Sequence, residues 1–230
     1  MSKRYAIYFA PKESSQLSHF GEIILARTAI CAREADASSS FTDQARWKTI
    51  TKKPAHYGFH ATLKAPFELR DNVTFDQLLL AVEKFASTQK PITLETLAPR
   101  HRSSFMALTL SEQQKELKKF AFSCVTEFEN FRRPLTEADI KRRQLRTLTP
   151  QQDALLLKYG YPYIADEFSF HMTLSDTMES SDQDYQEWVQ DQYTRCVTET
   201  PVLDQLAIFA QTTRETAFIQ LAAFPLVATD

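Results

Sequence analysis

Hydrophobic positions along this chain follow two periods, and the switches between them mark its elements. Residues 4–10 alternate around Tyr5, Ile7 and Phe9 and predict a first strand, ended by Pro11. From Leu17 to about Ala32 the apolar positions Leu17, Phe20, Ile24, Ala26 and Ile30 follow a helical face, with Ser14 or Ser15 as cap. A loop is predicted over 34–45, around Ser38-Ser39-Ser40; Arg46 to Lys53 lead into Pro54 and are assigned no element. A strand follows over about 57–68, with Pro66 ending its regular part or forcing a bulge. Thr74 caps a helix through Leu78, Leu79, Val82 and Phe85 to about Thr88. Residues 91–97 alternate weakly and 103–110 strongly, giving two more strands. Ser111 with Gln114 reads as a capping box opening a helix through Leu117, Phe120, Cys124 and Phe128. Thr136 with Asp139, and Thr149-Pro150-Gln151-Gln152, start two short helices, the second ending near Lys158. A strand over about 167–175, a polar helix from Asp182 to Val197, and a closing hairpin of 203–211 and 216–227 complete the order. Strand–helix–strand order recurs in both halves, which predicts an α+β pseudo-duplicate.

Two of these strands share more than a period. One reads Phe59-His60-Ala61-Thr62-Leu63 and the other Phe170-His171-Met172-Thr173-Leu174, with the histidines 111 residues apart. Alternation puts Phe59, Ala61 and Leu63 on one face and His60 and Thr62 on the other. The second copy does the same with His171 and Thr173. A single His-x-Thr is a common accident. Two copies in one frame, in opposite halves, predict two lobes that each offer a His and a Thr to a shared cleft.

Composition narrows the class. Hydrophobic content of 43% and charged content of 24% are ordinary for a globular protein. No segment approaches the roughly 20 apolar residues of a membrane span, and the apolar run before Pro11 is too short for a signal peptide. Cys31, Cys124 and Cys196 form no C-x-x-C pair and read as reduced thiols, so a cytoplasmic protein is expected. Residues 147–230 carry three basic side chains against thirteen acidic ones, whereas residues 115–146 carry nine basic against five acidic. That split argues against a general polyanion binder and leaves room for a small anionic substrate in the first two-thirds. With three glycines and no G-x-G-x-x-G or P-loop, those routes to nucleotide binding are unsupported. No H-x-H, H-E-x-x-H or aspartate cluster suggests a metal site, and no cofactor is expected.

The doublet resembles the signature of the two-histidine (2H) phosphoesterase superfamily. Longer blocks, Arg4-Tyr5-Ala6-Ile7-Tyr8-Phe9-Ala10-Pro11, Tyr57 to Phe67, Phe131-Arg132-Arg133-Pro134-Leu135 and Gly160-Tyr161-Pro162-Tyr163, resemble its branch encoded in phosphonate-utilisation operons. The resemblance implies a bilobal α+β fold over residues 1–230 with a pseudo-two-fold. Each lobe is an antiparallel sheet with outer helices, and the active-site cleft lies between. The Arg-rich stretch at about 131–163 reads as a helical insertion. It also implies a metal-independent cyclic phosphodiesterase in phosphonate catabolism, with ribose 1,2-cyclic phosphate 5-phosphate as favoured substrate. The branch commonly continues its second motif with Thr-Gly, where this chain has Ser175-Asp176, which puts the shape of that loop in doubt.

The residues suit the chemistry. Histidine, with a pKa near 6.5, can take or give a proton at neutral pH, so His60 and His171 can be base and acid of one in-line displacement. Which is which is open. Thr62 and Thr173 can donate to the non-bridging oxygens. Lys64 shares the predicted face of His60 and Thr62 and can reach the phosphate. Arg132, Arg142 and Arg143 match arginines of the branch, and at least one is expected to bind a second phosphate. Tyr57, Tyr161 and Tyr163 are candidates to line the cleft. His56 lies near the motif strand, His19 reads as structural and His101 as a solvated loop residue. An RNA 2′,3′-cyclic phosphodiesterase or end-processing enzyme is the alternative, which the acidic final third disfavours. A non-catalytic nucleotide-binding or assembly module is a further one.

Overall fold

The computed structural model describes residues 3–27, 41–112, 114–144 and 147–227. Its elements run β1 (Arg4–Phe9), α1 (Gln16–Leu25), α2 (Gln44–Tyr57), β2 (Ala61–Glu68), α3 (Phe75–Ala86), β3 (Ile92–Thr93), β4 (Ala98–Arg102) and β5 (Phe105–Thr109). Then come α4 (Lys115–Glu127), α5 (Glu137–Arg143), α6 (Pro150–Tyr159), β6 (His171–Thr173), α7 (Gln183–Cys196), β7 (Val202–Leu203), β8 (Gln205–Gln211) and β9 (Ile219–Pro225). The helix expected to reach about Ala32 ends at Leu25, because Ala26 turns left-handed and caps it with its amide on Glu22 O. Cys31 and most of the loop expected over 34–45 lie outside the described residues.

The α+β class holds. Seven strands form an antiparallel sheet in the order β4-β5-β6-β2-β1-β8-β9, and β3 pairs with β7 apart from it. Each motif strand belongs to its own half, β2 beside β1 and β6 beside β5. The halves meet at one residue pair, Ala61 with Met172. The two implied lobes are therefore halves of a sheet joined at its narrowest seam. Leu17, Phe20 and Ile24 of α1, Trp47 and Ile50 of α2, Leu78 and Val82 of α3, Leu117 and Phe120 of α4, and Tyr185 and Val189 of α7 share one buried cluster with Ile7, Phe9, Leu63, Leu108, Met172 and Ile208 of the strands. Removing this apolar surface from water is what joins helices to sheet. A smaller cluster, Ala6, Tyr8, Ala10, Ala207, Phe209 and Phe218, lies on other side chains of β1 and β8. Neither α5 nor α6 contributes to the large cluster.

Local signals explain the boundaries. Ser15 caps α1, and Thr74–Gln77, Thr136–Asp139 and Thr149–Gln152 form reciprocal capping boxes for α3, α5 and α6. The box expected at Ser111 is absent. The Ser111 amide donates to Thr96 Oγ1, Gln114 Nε2 donates to Thr93 O, and α4 starts at Lys115 without a side-chain cap. His101 is in strand β4, not a loop, and the strand expected over 91–97 shrinks to Ile92–Thr93.

The largest difference is α2, where no element was assigned. Its buried residues Trp47, Ile50, Thr51 and Pro54 have helical i, i+3, i+4, i+7 spacing. Pro54 sits in the last turn, where it removes one amide donor and leaves the Ile50 carbonyl without its helical partner. The Asp176 amide donates to that carbonyl at 2.7 Å. The exit loop of the second motif is thereby tied to the helix that leads into the first.

Candidate active site

Each histidine is aimed by the backbone two residues before it. Helix α2 ends at Gly58, whose φ of 82° and ψ of 170° are open essentially to glycine alone. That turn points the Gly58 carbonyl at His60, whose Nδ1–H donates to it at 2.9 Å. His171 Nδ1–H donates to Ser169 O at the same 2.9 Å. A carbonyl only accepts, so both imidazoles carry their proton on Nδ1 when neutral and keep Nε2 for other partners. His60 Nε2 lies 3.3 Å from Thr62 Oγ1. Packing sets the rest of the first motif. Phe59 is buried against Gly21 of α1, where a Cβ would come within 2.1 Å of its ring.

The seam creates a local two-fold. Ala61 pairs antiparallel with Met172, and both side chains are buried. Continuing that register sets His60 across from Thr173 and Thr62 across from His171. All four polar side chains then share the face opposite the main core. A cleft of about 950 Å³ opens on that face, lined by His60, Thr62 and Thr173 together with Tyr8, Phe105, Tyr57, Tyr161 and Tyr163. His171 is not among the lining residues; its ring packs edge-to-face on Phe105, which is, with centroids 6.3 Å apart. Tyr8 stacks flat on His60, with centroids 3.7 Å apart.

Burial holds the His60 pKa down to about 4, and the nearby His171 and Arg27 lower it further against the pull of the Gly58 carbonyl. Burial also lowers His171, opposed by the Ser169 carbonyl and assisted by Arg102. Both rings are thus neutral near pH 7 in the free protein. Among the described residues no three His, Cys, Asp or Glu side chains are grouped to hold a metal.

The other expected site residues divide. Tyr57, Arg142, Arg143, Tyr161 and Tyr163 line the cleft. Tyr57 also stacks on Phe218, and Tyr161 and Tyr163 pack edge-to-face on each other. Lys64 does not face the cleft. Its Nζ is buried and donates to Val125 O and Glu129 Oε2 at 2.8 and 2.9 Å. The cause is a register shift: Tyr8 pairs with Thr62 but Ile7 with Lys64, so Leu63 is an extra residue and Lys64 turns to the side of Ile7. A second shift takes in Ala65 and Pro66, the bulge expected at that proline. Arg132 is likewise buried away from the cleft. It grips Glu129 and donates to Lys158 O, clamping the end of α4 to the end of α6. His56 does not line the cleft.

Tyr8, Arg4, Phe105 and Arg214 line the cleft and were not singled out. Tyr8 had a signal, since it is a polar aromatic on the face of β1 opposite Ile7 and Phe9. Arg214, in the β8–β9 turn, had none.

Residues 62–219 match the model of a family described as "Protein of unknown function (DUF1045)". The chain belongs to the DUF1045 family. The match begins at Thr62, just past His60, and takes in His171 and Thr173. Over 182 residues this DUF1045 chain is 35% identical to "Ribose 1,5-bisphosphate phosphokinase PhnN" of Janthinobacterium sp. (strain Marseille), covering 79% of this chain and 40% of that one. It is 28% identical over 180 residues to the protein of the same name from Laribacter hongkongensis (strain HLHK9), covering 78% and 41%. The chain thus spans about two fifths of the length of the curated relatives it matches. Among solved structures, it resembles E. coli LigT complexed with 3′-AMP at 12% identity and a TM-score of 0.43, over 99% of this chain and 100% of that one. A conserved protein of unknown function, ATU0111 from Agrobacterium tumefaciens str. C58, gives 13% and 0.45, over 97% and 87%. In this DUF1045 protein the two His-x-Thr motifs lie side by side at the Ala61–Met172 pair.

Proposed function

We propose that this protein is a phosphodiesterase that opens a small cyclic phosphodiester by two-histidine acid–base catalysis, with ribose 1,2-cyclic phosphate 5-phosphate as favoured substrate. The observation that carries the reading is the pair of neutral imidazoles at one seam, each held at Nδ1 by a carbonyl with Nε2 left over. His60, the more strongly depressed of the two, is the base. It takes a proton from water as that water's oxygen bonds to phosphorus. The bond from phosphorus to one ribose oxygen breaks on the opposite side, and His171, in its protonated form, gives that oxygen a proton. His60 then loses its proton to solvent and His171 regains one, which closes the cycle. Thr62 and Thr173 donate to the non-bridging oxygens as charge builds there. Breaking the bond to the 2-oxygen leaves ribose 1,5-bisphosphate, the compound in the name of the curated relatives. This chain has no P-loop to carry out the kinase step in that name, and more than half of each relative lies outside the match.

Single-turnover hydrolysis in EDTA tests this. Wild type is expected to open the ribose diester, and His60→Ala and His171→Ala to lose on the order of 10²–10⁴-fold each. Faster turnover of a 2′,3′-cyclic nucleotide would move the protein to RNA processing. Variants as active as wild type would leave it a non-catalytic module.

A further inference from the structure

Four arginines from three distant segments converge on the cleft: Arg4 at the start of β1, Arg142 and Arg143 in the last turn of α5, and Arg214 in the β8–β9 turn. They share one carboxylate. Asp139 accepts from Arg142 Nη2 at 2.6 Å and from Arg214 Nη2 at 3.2 Å. The other two have only neutral partners among the described residues. Arg4 donates to Gln211 Oε1, and Arg143 donates to the Gly160 carbonyl. The nearby Arg132 and Arg133 pair with Glu129 and Glu68 and do not line the cleft. The four guanidiniums also feel one another. After burial, Arg214 and then Arg142 lower the Arg4 pKa. After burial, Arg142 also lowers that of Arg143, opposed by Asp139 and aided by Arg4. The α5 dipole accounts for basic residues at its own C-terminus. It gives no reason to gather Arg4 and Arg214 there as well. One carboxylate among four partly buried guanidiniums leaves positive charge in excess, which is costly unless an anion fills the gap.

We propose that Arg4, Arg142, Arg143 and Arg214 form a second anion site in the cleft, which takes the terminal phosphate monoester of a sugar phosphate whose other end reacts at the histidines. This rests on the phosphodiesterase reading for the second half of the statement. A phosphate monoester carries a charge of about −1.5 to −2 at pH 7 and offers three acceptor oxygens, which suits several guanidiniums at once. Spacing fits a small sugar. Arg4, Ala6 and Tyr8 share one face of β1, so Arg4 lies about 13 Å along the strand from the residue stacked on His60. An arginine side chain reaching back, together with a pentose, spans that distance.

The test is binding of D-ribose 5-phosphate, which has no diester, against D-ribose, by calorimetry at low salt. Wild type and His60→Ala/His171→Ala are expected to bind ribose 5-phosphate within about threefold of each other and to bind ribose negligibly. Arg4→Gln/Arg143→Gln should lose on the order of tenfold or more, from two charge-assisted bonds. Arg214→Gln, in an exposed turn where folding is not at stake, should lose about threefold. Unchanged affinity in Arg214→Gln and in the double arginine variant overturns the site. So does loss in the histidine variant with none in Arg214→Gln, because the phosphate would then sit at the histidines. If the double arginine variant does not fold, Arg214→Gln decides. Hydrolysis of ribose 1,2-cyclic phosphate with and without the 5-phosphate is measured alongside. Turnover of neither by wild type refutes the diesterase reading and leaves the binding result to judge the arginines.

Discussion

His60 and His171 have the same donor arrangement and unequal surroundings, and that inequality has a measurable consequence. A histidine lowered from 6.5 to about 4 remains an unprotonated base down to about pH 4. The acid limb of kcat/KM is therefore expected well below pH 6. His171 is also lowered, so its protonated form, needed as the acid, is lost as pH rises through a midpoint below 6.5. The free-enzyme profile should then be a bell centred on the acid side of 6.5, read from kcat/KM over pH 3.5–8.5. In the complex, substrate charge favours the imidazolium, so the kcat profile should lie further to the alkaline side. Tyr8 shields His60. Tyr8→Ala is expected to move the acid limb up toward 6.5, and Tyr8→Phe, which keeps the stacked ring, is not. The histidines and threonines could be read from the sequence because four residues and their spacing carry the whole pattern. Arg142 and Arg143 were named from the resemblance alone, and Tyr8, Arg4 and Arg214 were not, because what they do comes from what the fold brings beside them.

At the scale of elements, local chemistry was readable where it is local. Thr74, Thr136 and Thr149 cap their helices as their sequences imply, since a capping box needs only four residues. Lys64 was misplaced because a bulge depends on the partner strand. One extra residue opposite β1 reverses which side the strand presents, and nothing inside β2 announces it. Helix α2 shows the reverse error, an apolar stripe present in the sequence to which no element was assigned. The end of α2 bears directly on the site. Gly58 holds a conformation that costs other residues about 1–3 kcal/mol, yet a Cβ there would meet nothing closer than 3.6 Å. Gly58→Ala should thus lower stability by about that amount in denaturant titration through backbone strain alone. It should also lower kcat, because the carbonyl that orients His60 would turn.

Over the whole molecule, the repeat of the motif at half the chain length implied two related halves, and the strand order puts both motif strands at the middle of the sheet. What the sequence could not show is how the two motif strands meet, at one ladder pair with the bond from Asp176 to the carbonyl freed by Pro54 beside it, over a buried cluster that the halves share. Pro54→Ala would restore an amide that competes for Ile50 O inside α2. The expected result is an unchanged or higher melting temperature, faster hydrogen exchange at the Asp176 amide, and a several-fold lower kcat. An unaffected exchange rate at Asp176 would show that this bond does not link the halves. The seam also bears on how a ligand is seated. A rotation about the Ala61–Met172 pair exchanges the two His/Thr sets, so a diester turned end for end meets the same four groups in swapped order. Such a centre alone cannot tell left from right. Direction has to come from features the rotation does not repeat, and the arginines, gathered on one side only, act like the key on a symmetric plug.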